Sequence, residues 1–351
     1  MFKSIKIKNL RAITELEVDN LGQVNLFVGE NNCGKTTTLE GLFFLIGATN
    51  PPLLINANSF RGLNVISKEL WCTFFHDMEI TVPIELSAEI RGIKEKQKLV
   101  IRSKKKKAHS MKHEGSDFVS VENVPGDSKP LIIPEGLEFE YSNSKDPDEK
   151  TISEIFMKGN EIVSEGVQDR AIRGVFINPL TIYSWKDRFG AVQRKKKLKE
   201  VLNFLKEIDP HVLDLRLNEI GLLEVDIGIP RFLPANLVGG GVVKFLSIAL
   251  AMIEYEDGIV LIDEIDNGLH HSAQRSLWKG IFNWAQALHV QVFASTHSWE
   301  CVKAFNESSM SSLFETEGKL FRIERHEDSF RVVEYTKEML DESLESRWEV
   351  R

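Results

Sequence analysis

The sequence predicts an α/β protein with a mixed or parallel core sheet, an antiparallel β-rich region and a helical insertion. Three observations predict it. A glycine-bearing loop at 29–36 stands between an apolar run at 23–28 and a stretch with helical spacing, Thr37, Leu39, Leu42, Phe43 and Ile46. Far along the chain, the wholly apolar run 259–262 suits the centre of a parallel sheet, and a helical stretch at about 273–287 and a strand at 290–294 follow it. Between these ends, residues 71–165 break into short strand-like runs punctuated by turn residues.

The elements follow in order. Residues 4–8 alternate with period two and read as a half-buried strand. The helix after the loop closes at Gly47 and Pro51, and residues 48–70 read as loop. Strands are expected at 81–84, 99–102, 118–121, 137–141 and 151–156, with turns at Pro125-Gly126-Asp127 and Asp146-Pro147-Asp148. Residues 190–208 read as one helix, basic on one side, with Leu198, Val201, Leu202 and Leu205 as its apolar stripe and Pro210 as its stop. Two short strands near 212–217 and 223–227 precede an apolar helix that runs to about Tyr255. The last fifty residues hold a hairpin, 320–323 with 330–333, and a short helix. The expected division is a core from 1–70 and 235–351, a β-rich antiparallel insertion at 71–165, and a helical or mixed insertion at 166–234.

Bulk composition narrows the function classes. With 42% hydrophobic and 27% charged residues, the chain has a core and is not a disordered one. No run approaches the ~18 apolar residues that a membrane span needs. The start, Met1-Phe2-Lys3-Ser4-Ile5-Lys6, reads as a charged strand and not as a signal peptide, so a cytoplasmic protein with no membrane partner is expected. Cys33, Cys72 and Cys301 form no CxxC pair, which argues against a disulfide framework or a zinc site. A net charge of −8 argues against a protein that coats nucleic acid with its whole surface, but leaves room for a local basic patch.

The loop Gly29-Glu30-Asn31-Asn32-Cys33-Gly34-Lys35-Thr36 fits GxxxxGK[ST] without a gap. Glycines let main-chain N–H groups turn inward around phosphates, and the loop opens a helix whose N-terminus favours anions. Lys35 is expected to reach the β- and γ-phosphates of ATP, and the Thr36 hydroxyl to ligate Mg²⁺. Cys33 lies inside this loop, where alkylation would block the site and ATP would protect it. The run Ile259-Val260-Leu261-Ile262 delivers Asp263 and Glu264 to a strand end. Asp263 is placed to hold Mg²⁺ through water and Glu264 to polarise the attacking water. Ala294-Ser295-Thr296-His297 ends the next strand, so His297 shares an edge with Glu264 if the two strands are parallel neighbours, within reach of a γ-phosphate.

Leu237-Val238-Gly239-Gly240-Gly241 precedes a helix and is either a tight turn for close packing or a second anion site. One nucleotide pocket does not need two phosphate loops from one chain, so as an anion site the run would serve a neighbouring subunit.

The order P-loop, Leu-Val-Gly-Gly-Gly, Asp-Glu, Thr-His resembles the ABC-type ATPases, in particular their soluble RecF-like and OLD-like branch, related to the SMC proteins. The match covers about 1–47 and 235–300. It implies an ABC-type ATPase head in which two subunits sandwich two ATP molecules, a homodimer or higher oligomer. Val238, Gly239, Gly240 and Gly241 would be the signature acting in trans, and Asn267, Gly268, Leu269 and His270 the D-loop against the partner subunit. The ATP contacts would be Gly29 to Thr36, with Thr37 beyond them. Asn9-Leu10-Arg11 resembles the family's N-terminal arginine motif, so Arg11 either approaches the nucleotide or forms a salt bridge. The chain departs from the pattern where Val238 replaces the signature serine, Gly241 its glutamine, and Lys244 an arginine. Gln97 and Gln168 are the candidates for the Q-loop glutamine.

The resemblance implies an ATP-driven switch controlling a partner protein or DNA, the ATPase component of a prokaryotic defence or DNA-maintenance system with a separate effector. About fifty residues follow His297, short for the Toprim nuclease of OLD proteins, so no intrinsic nuclease is expected. The alternatives are a RecF-like DNA-binding repair clamp and, less well matched, a transporter motor. DNA contact would fall to Arg102-Ser103-Lys104-Lys105-Lys106-Lys107 or Arg194-Lys195-Lys196-Lys197-Leu198-Lys199; each run reads equally as a solvated surface.

Overall fold

The computed structural model describes residues 1–63, 67–92, 95–104, 133–159, 161–167, 172–178, 181, 185–309 and 316–346. The chain opens with β1 (Phe2–Leu10) and β2 (Ile13–Val18), an antiparallel pair. Their alternation sorts the faces: Ile5 and Ile7 point into the core, while Lys6 lies outside between Glu15 and Glu17. Next come β3 (Val24–Val28), α1 (Lys35–Ile46) and α2 (Leu53–Phe60), then β4 (Ile84–Ile90), β5 (Lys96–Lys104), β6 (Gly136–Asn143), β7 (Asp146–Lys158), β8 (Glu161–Glu165) and β9 (Gly174–Ile177). The chain continues through α3 (Lys186–Arg194), α4 (Leu198–Lys206), β10 (Asp214–Leu217), β11 (Leu223–Asp226), β12 (Leu233–Pro234) and α5 (Gly240–Glu254). It ends with β13 (Ile259–Ile262), α6 (His271–Ala287), β14 (Gln291–Ser295), α7 (Trp299–Ser309), β15 (Gly318–His326), β16 (Ser329–Tyr335) and α8 (Lys337–Glu345).

A six-stranded sheet in the order β16-β15-β3-β14-β13-β9 forms the centre. It is parallel from β15 to β9, and β16 pairs antiparallel on its edge. Strands β3 and β13 are buried along their whole length, as strands covered on both faces must be. Their alternate side chains feed two cores. Val24, Leu26, Val28, Val260 and Ile262 face α3 to α7; Phe27, Ile259, Leu261 and Phe293 face α1 and the antiparallel sheet. That second sheet has the order β2-β1-β4-β5-β6-β7-β8, so the 84–165 segment joins the first strand of the chain directly, through β4. Gln291 joins the two sheets: its side chain accepts from Phe2 N at 2.7 Å and donates to Phe2 O at 2.8 Å. The result is the expected α/β class with a mixed core sheet and an antiparallel β-rich region.

Several expectations need correction. Residues 48–70 contain the helix α2 and the start of a 3-10 turn at Lys68–Phe74. The prolines that stop α1 also open α2, because proline fits the first helical turn. The single helix expected over 190–208 is two helices, broken at Lys195–Lys197, where Lys196 adopts a left-handed φ of 58°. The strand expected at 81–84 begins at Ile84, and the 146–148 turn is displaced to Ser144 and Lys145. Strand β9 and helix α7 were not anticipated. The expected strand at 118–121 and turn at 125–127 lie outside the described residues.

Candidate active site

Strands β3, β14, β13 and β9 run parallel as neighbours, so their carboxyl ends form one edge, where open α/β sheets bind ligands. The loop at 29–36 leaves β3 at this edge. Gly29 has φ 143°, and a Cβ there would collide with the Ile323 carbonyl and lie 2.7 Å from Cys33 Sγ. Gly34 caps α1 at φ 98°, a left-handed conformation that favours glycine. Glu30, Asn31 and Asn32 are exposed and Cys33 is buried. Lys35 folds back over the loop: Nζ donates to the carbonyls of Gly29 at 2.8 Å and Glu30 at 2.7 Å, and lies 3.8 Å from Cys33 Sγ.

Asp263 leaves β13 at the same edge. Thr36 Oγ1 donates to its Oδ2 at 2.9 Å, with Oδ1 at 3.2 Å. Ser295, the last residue of β14, donates its hydroxyl to Asp263 Oδ1 at 2.5 Å and accepts from Glu264 N at 2.9 Å. Glu264 turns the chain with φ 47°, and its carboxylate accepts from Asn267 Nδ2 at 3.3 Å. Thr296 Oγ1 donates to Asp266 Oδ1 at 2.5 Å, which ties the segment before His297 to the segment after Glu264. His297 is exposed at this edge, one residue beyond Thr296. The structure therefore brings together Thr36 and Asp263, keeps Lys35 folded over its own loop, and sets Glu264 and His297 on adjoining loops.

The glycine run caps α5, with Gly239 as its N-cap and Gly239 and Gly240 exposed. It lies beside the 267–270 segment of its own chain: a Cβ on Gly240 would stand 3.6 Å from Gly268 O, and one on Gly241 3.7 Å from Leu269 Cδ2. Asn267, Gly268 and His270 are exposed on the same ridge, and Val238 is buried behind it. Leu237, just before the run, is 70% exposed.

Arg11 realises the salt-bridge alternative. Its Nε donates to Glu40 Oε2 at 2.8 Å, its guanidinium stacks over Phe74 at 4.8 Å, and a further nitrogen reaches Asn58 Oδ1 at 3.0 Å. Arg61 reaches the same helix and also its first turn, donating to Glu40 and to Thr37 Oγ1 at 3.3 Å. Cys33 lies inside the loop, turned away from solvent. The residue is only 3% exposed, and burial pushes its thiol up, an effect that nearby Lys35 opposes. Of the Q-loop candidates, Gln97 lies buried on β5 in the antiparallel sheet, and Gln168 lies outside the described residues. The residue that follows β9 at the site edge is Asn178, whose Oδ1 accepts from Thr181 N at 2.9 Å, while Asp263 N donates to the preceding Ile177 O.

Sequence reasoning missed Ser295, Arg61, Asn178 and the burial of Lys244. Lys244 lies on α5 at 2% exposure and donates Nζ to Glu264 O at 2.9 Å. Burial pulls its ammonium down to about 8, against the upward pull of Asp266, Asp263 and Glu264. A signal existed only for Ser295, in the Ala-Ser-Thr-His run at a strand end.

Part of each basic run is spoken for. Arg102 pairs with Glu140 at 2.8 Å, Lys104 pairs with Glu154, and Lys195 pairs with Glu256 at 2.6 Å. Residues 105–107 lie outside the described residues. Among the described residues, no helix is long and apolar enough to cross a membrane.

Comparison with known proteins places this geometry. The family model described as "AAA domain, putative AbiEii toxin, Type IV TA system" matches residues 24–301. A Helicobacter pylori protein named "ATP/GTP phosphatase" is 22% identical over 92% of this chain and 92% of its own. A solved SMC head bound to the C-winged helix domain of ScpA aligns over 95% of this chain and 97% of its own, with TM-score 0.50 and 12% identity. A Pyrococcus furiosus Smc head domain with an extended coiled coil, bound to the C-terminal domain of ScpA, aligns over 99% of both chains, with TM-score 0.51 and 10% identity. At such identities the two heads speak for the fold alone. The strand–loop–helix, the Asp-Glu strand end and the family match together make the conclusion plain: the chain belongs to this AAA family and is a P-loop ATPase with an SMC-head-like fold.

Proposed function

We propose that the protein is an ATP-driven switch that dimerises around ATP and controls a separate effector protein, as the ATPase component of a prokaryotic defence or DNA-maintenance system. The observation that carries the catalytic part is the 2.9 Å hydrogen bond between Thr36 and Asp263, which closes the phosphate loop onto the acidic strand end. A hydroxyl and one carboxylate fit Mg²⁺, which is usually held by one or two protein carboxylates together with nucleotide phosphates. Among the described residues no group of three His, Cys, Asp or Glu side chains could hold a metal alone, so phosphate and water would complete the shell. Bound there, Mg²⁺ would neutralise charge that develops on the phosphates.

In this reading the main-chain N–H groups of Gly29 to Thr36 cradle the phosphates. Lys35 leaves the Gly29 and Glu30 carbonyls to pair with the β- and γ-phosphates. Glu264 orients and polarises the attacking water, and His297 hydrogen-bonds the γ-phosphate. Val238, Gly239, Gly240 and Gly241 meet the nucleotide of a second copy, and Asn267, Gly268, Leu269 and His270 line the same contact. The exposed ridge they share, with Leu237 at its head, supports this reading. Arg11, held by Glu40, acts on the site only through α1. A protein effector is favoured over DNA because Arg102, Lys104 and Lys195 are already paired with carboxylates. The family description, with its toxin and type IV TA terms, supports a defence role.

The test is Glu264→Gln, which should bind ATP without turnover and accumulate as a dimer. Light scattering is expected to show the mass double on adding ATP and Mg²⁺; an unchanged mass refutes the composite site.

A further inference from the structure

Lys244 is only 2% exposed, yet it carries an ammonium. A lysine on a helix normally snorkels to water, so full burial requires a specific partner. Its ammonium donates to a main-chain carbonyl, Glu264 O at 2.9 Å. That carbonyl also accepts from Asn267 N at 3.0 Å, and Glu264 N is held by Ser295 Oγ at 2.9 Å. Both main-chain polar groups of Glu264 are thus pinned, one on each side of a φ of 47° that a glutamate rarely adopts. A strained conformation at a functional side chain persists only where its surroundings over-determine it. Lys244 supplies a constraint from α5, the helix capped by the glycine run.

We propose that Lys244 is a positioning residue for hydrolysis: it holds the main chain of Glu264 from α5, so that the glutamate's carboxylate stays aimed from the sheet edge. The proposal rests on the reading of Glu264 as the group that polarises the attacking water. The consequence is a split between binding and turnover. Nucleotide affinity depends on the loop at 29–36, which Lys244 does not touch, whereas the chemical step depends on where Glu264 points.

The test compares wild type, Lys244→Met, Glu264→Gln and the double variant. Methionine keeps an unbranched stem of similar length and removes the ammonium. ATP turnover is followed by phosphate release and affinity by a fluorescent ATP analogue, with circular dichroism as a control for folding. Lys244→Met is expected to lose about 100-fold in kcat with affinity kept within about twofold, a loss confined to the transition state. In the Glu264→Gln background it should add nothing, because the two residues act as a unit. A normal kcat in Lys244→Met beside an inactive Glu264→Gln overturns this proposal alone. Equal fold-losses in the two backgrounds also overturn it. A Glu264→Gln variant that turns over like wild type overturns the catalytic reading, and this proposal with it. If Lys244→Met does not fold, Lys244→Arg carries the test: it keeps the charge but displaces the donor, so kcat should fall while affinity holds, and loss of both or of neither overturns the proposal.

Discussion

Removing one hydroxyl, in Ser295→Ala, separates contributions that the site combines. Ser295 is buried at the end of β14, where it donates to Asp263 Oδ1 at 2.5 Å and accepts from Glu264 N at 2.9 Å. Alanine keeps the strand and the volume almost unchanged, so the effect is that of two hydrogen bonds. One of them goes to a carboxylate, worth about 1.5–3 kcal/mol net, and the other leaves a peptide N–H without its acceptor, at about 1–3 kcal/mol. Because the two share one oxygen they do not add fully, and a destabilisation of about 3 kcal/mol is expected. On the proposed reading Ser295 also stands behind a Mg²⁺ ligand, a position whose loss typically costs about 10- to 100-fold in metal affinity or activity. The assays are urea unfolding and phosphate release across a Mg²⁺ titration. The expected result is a half-saturating Mg²⁺ concentration raised by that factor, with kcat only partly recovered at saturation, because the Glu264 turn stays loosened. A Mg²⁺ dependence and kcat both within about twofold of wild type would refute the reasoning, since a hydroxyl that tethers both acids cannot be removed silently.

Further predictions bear on other parts of the site. Lys35→Ala is expected to abolish ATP hydrolysis, and normal phosphate release from that variant would remove the P-loop assignment. Glu40→Gln should destabilise by about 3 kcal/mol, because it strips the counter-charge from both Arg11 and Arg61; Glu40's side chain is 1% exposed, and a shift under about 1 kcal/mol in urea unfolding would count against a buried ion-pair cluster. Native Cys33 should label with iodoacetamide more slowly than a free cysteine at the same pH, because a raised pKa means less thiolate, and the rate should rise sharply in denaturant. Fast native labelling would contradict the burial.

How far the sequence leads depends on the range over which each signal acts. The phosphate loop is legible because eight contiguous residues carry it, and the strand before and the helix after it are set by their own periodicity. The same holds for 259–264, where four apolar residues and two acids describe a central strand and its end. Strand β9 is harder: Gly174-Val175-Phe176-Ile177 is short, and what makes it a strand is pairing with β13, more than eighty residues away. Helix α2 is masked by Pro51 and Pro52, which read as a stop and serve as a start. Arg11 and Arg61 cannot be told apart by spacing. Their roles separate only when Glu40 takes both and Thr37 receives one. Lys244 reads as surface because helical lysines usually are, and nothing within a few residues of it reports the peptide carbonyl waiting at Glu264.

These hidden features have a common physical form. Adjoining segments of two parallel strands, 263–266 and 295–296, are joined residue by residue. Ser295 holds Asp263 and Glu264 N through its hydroxyl and accepts from Ile265 N through its carbonyl, and Thr296 holds Asp266. The loop that carries Glu264 and the loop that carries His297 therefore cannot move independently without breaking bonds to buried groups, which is costly. A change at one, whether a phosphate lost or a partner's helix withdrawn, must be felt at the other. An ATPase that serves as a switch needs that property, since hydrolysis at one end of the unit has to alter the surface at the other end. Here Asn267, Gly268 and His270 make up the exposed continuation of the same unit, so on the proposed reading the bonds that hold Glu264 and the segment before His297 are also the route by which their state would reach a second copy of the chain.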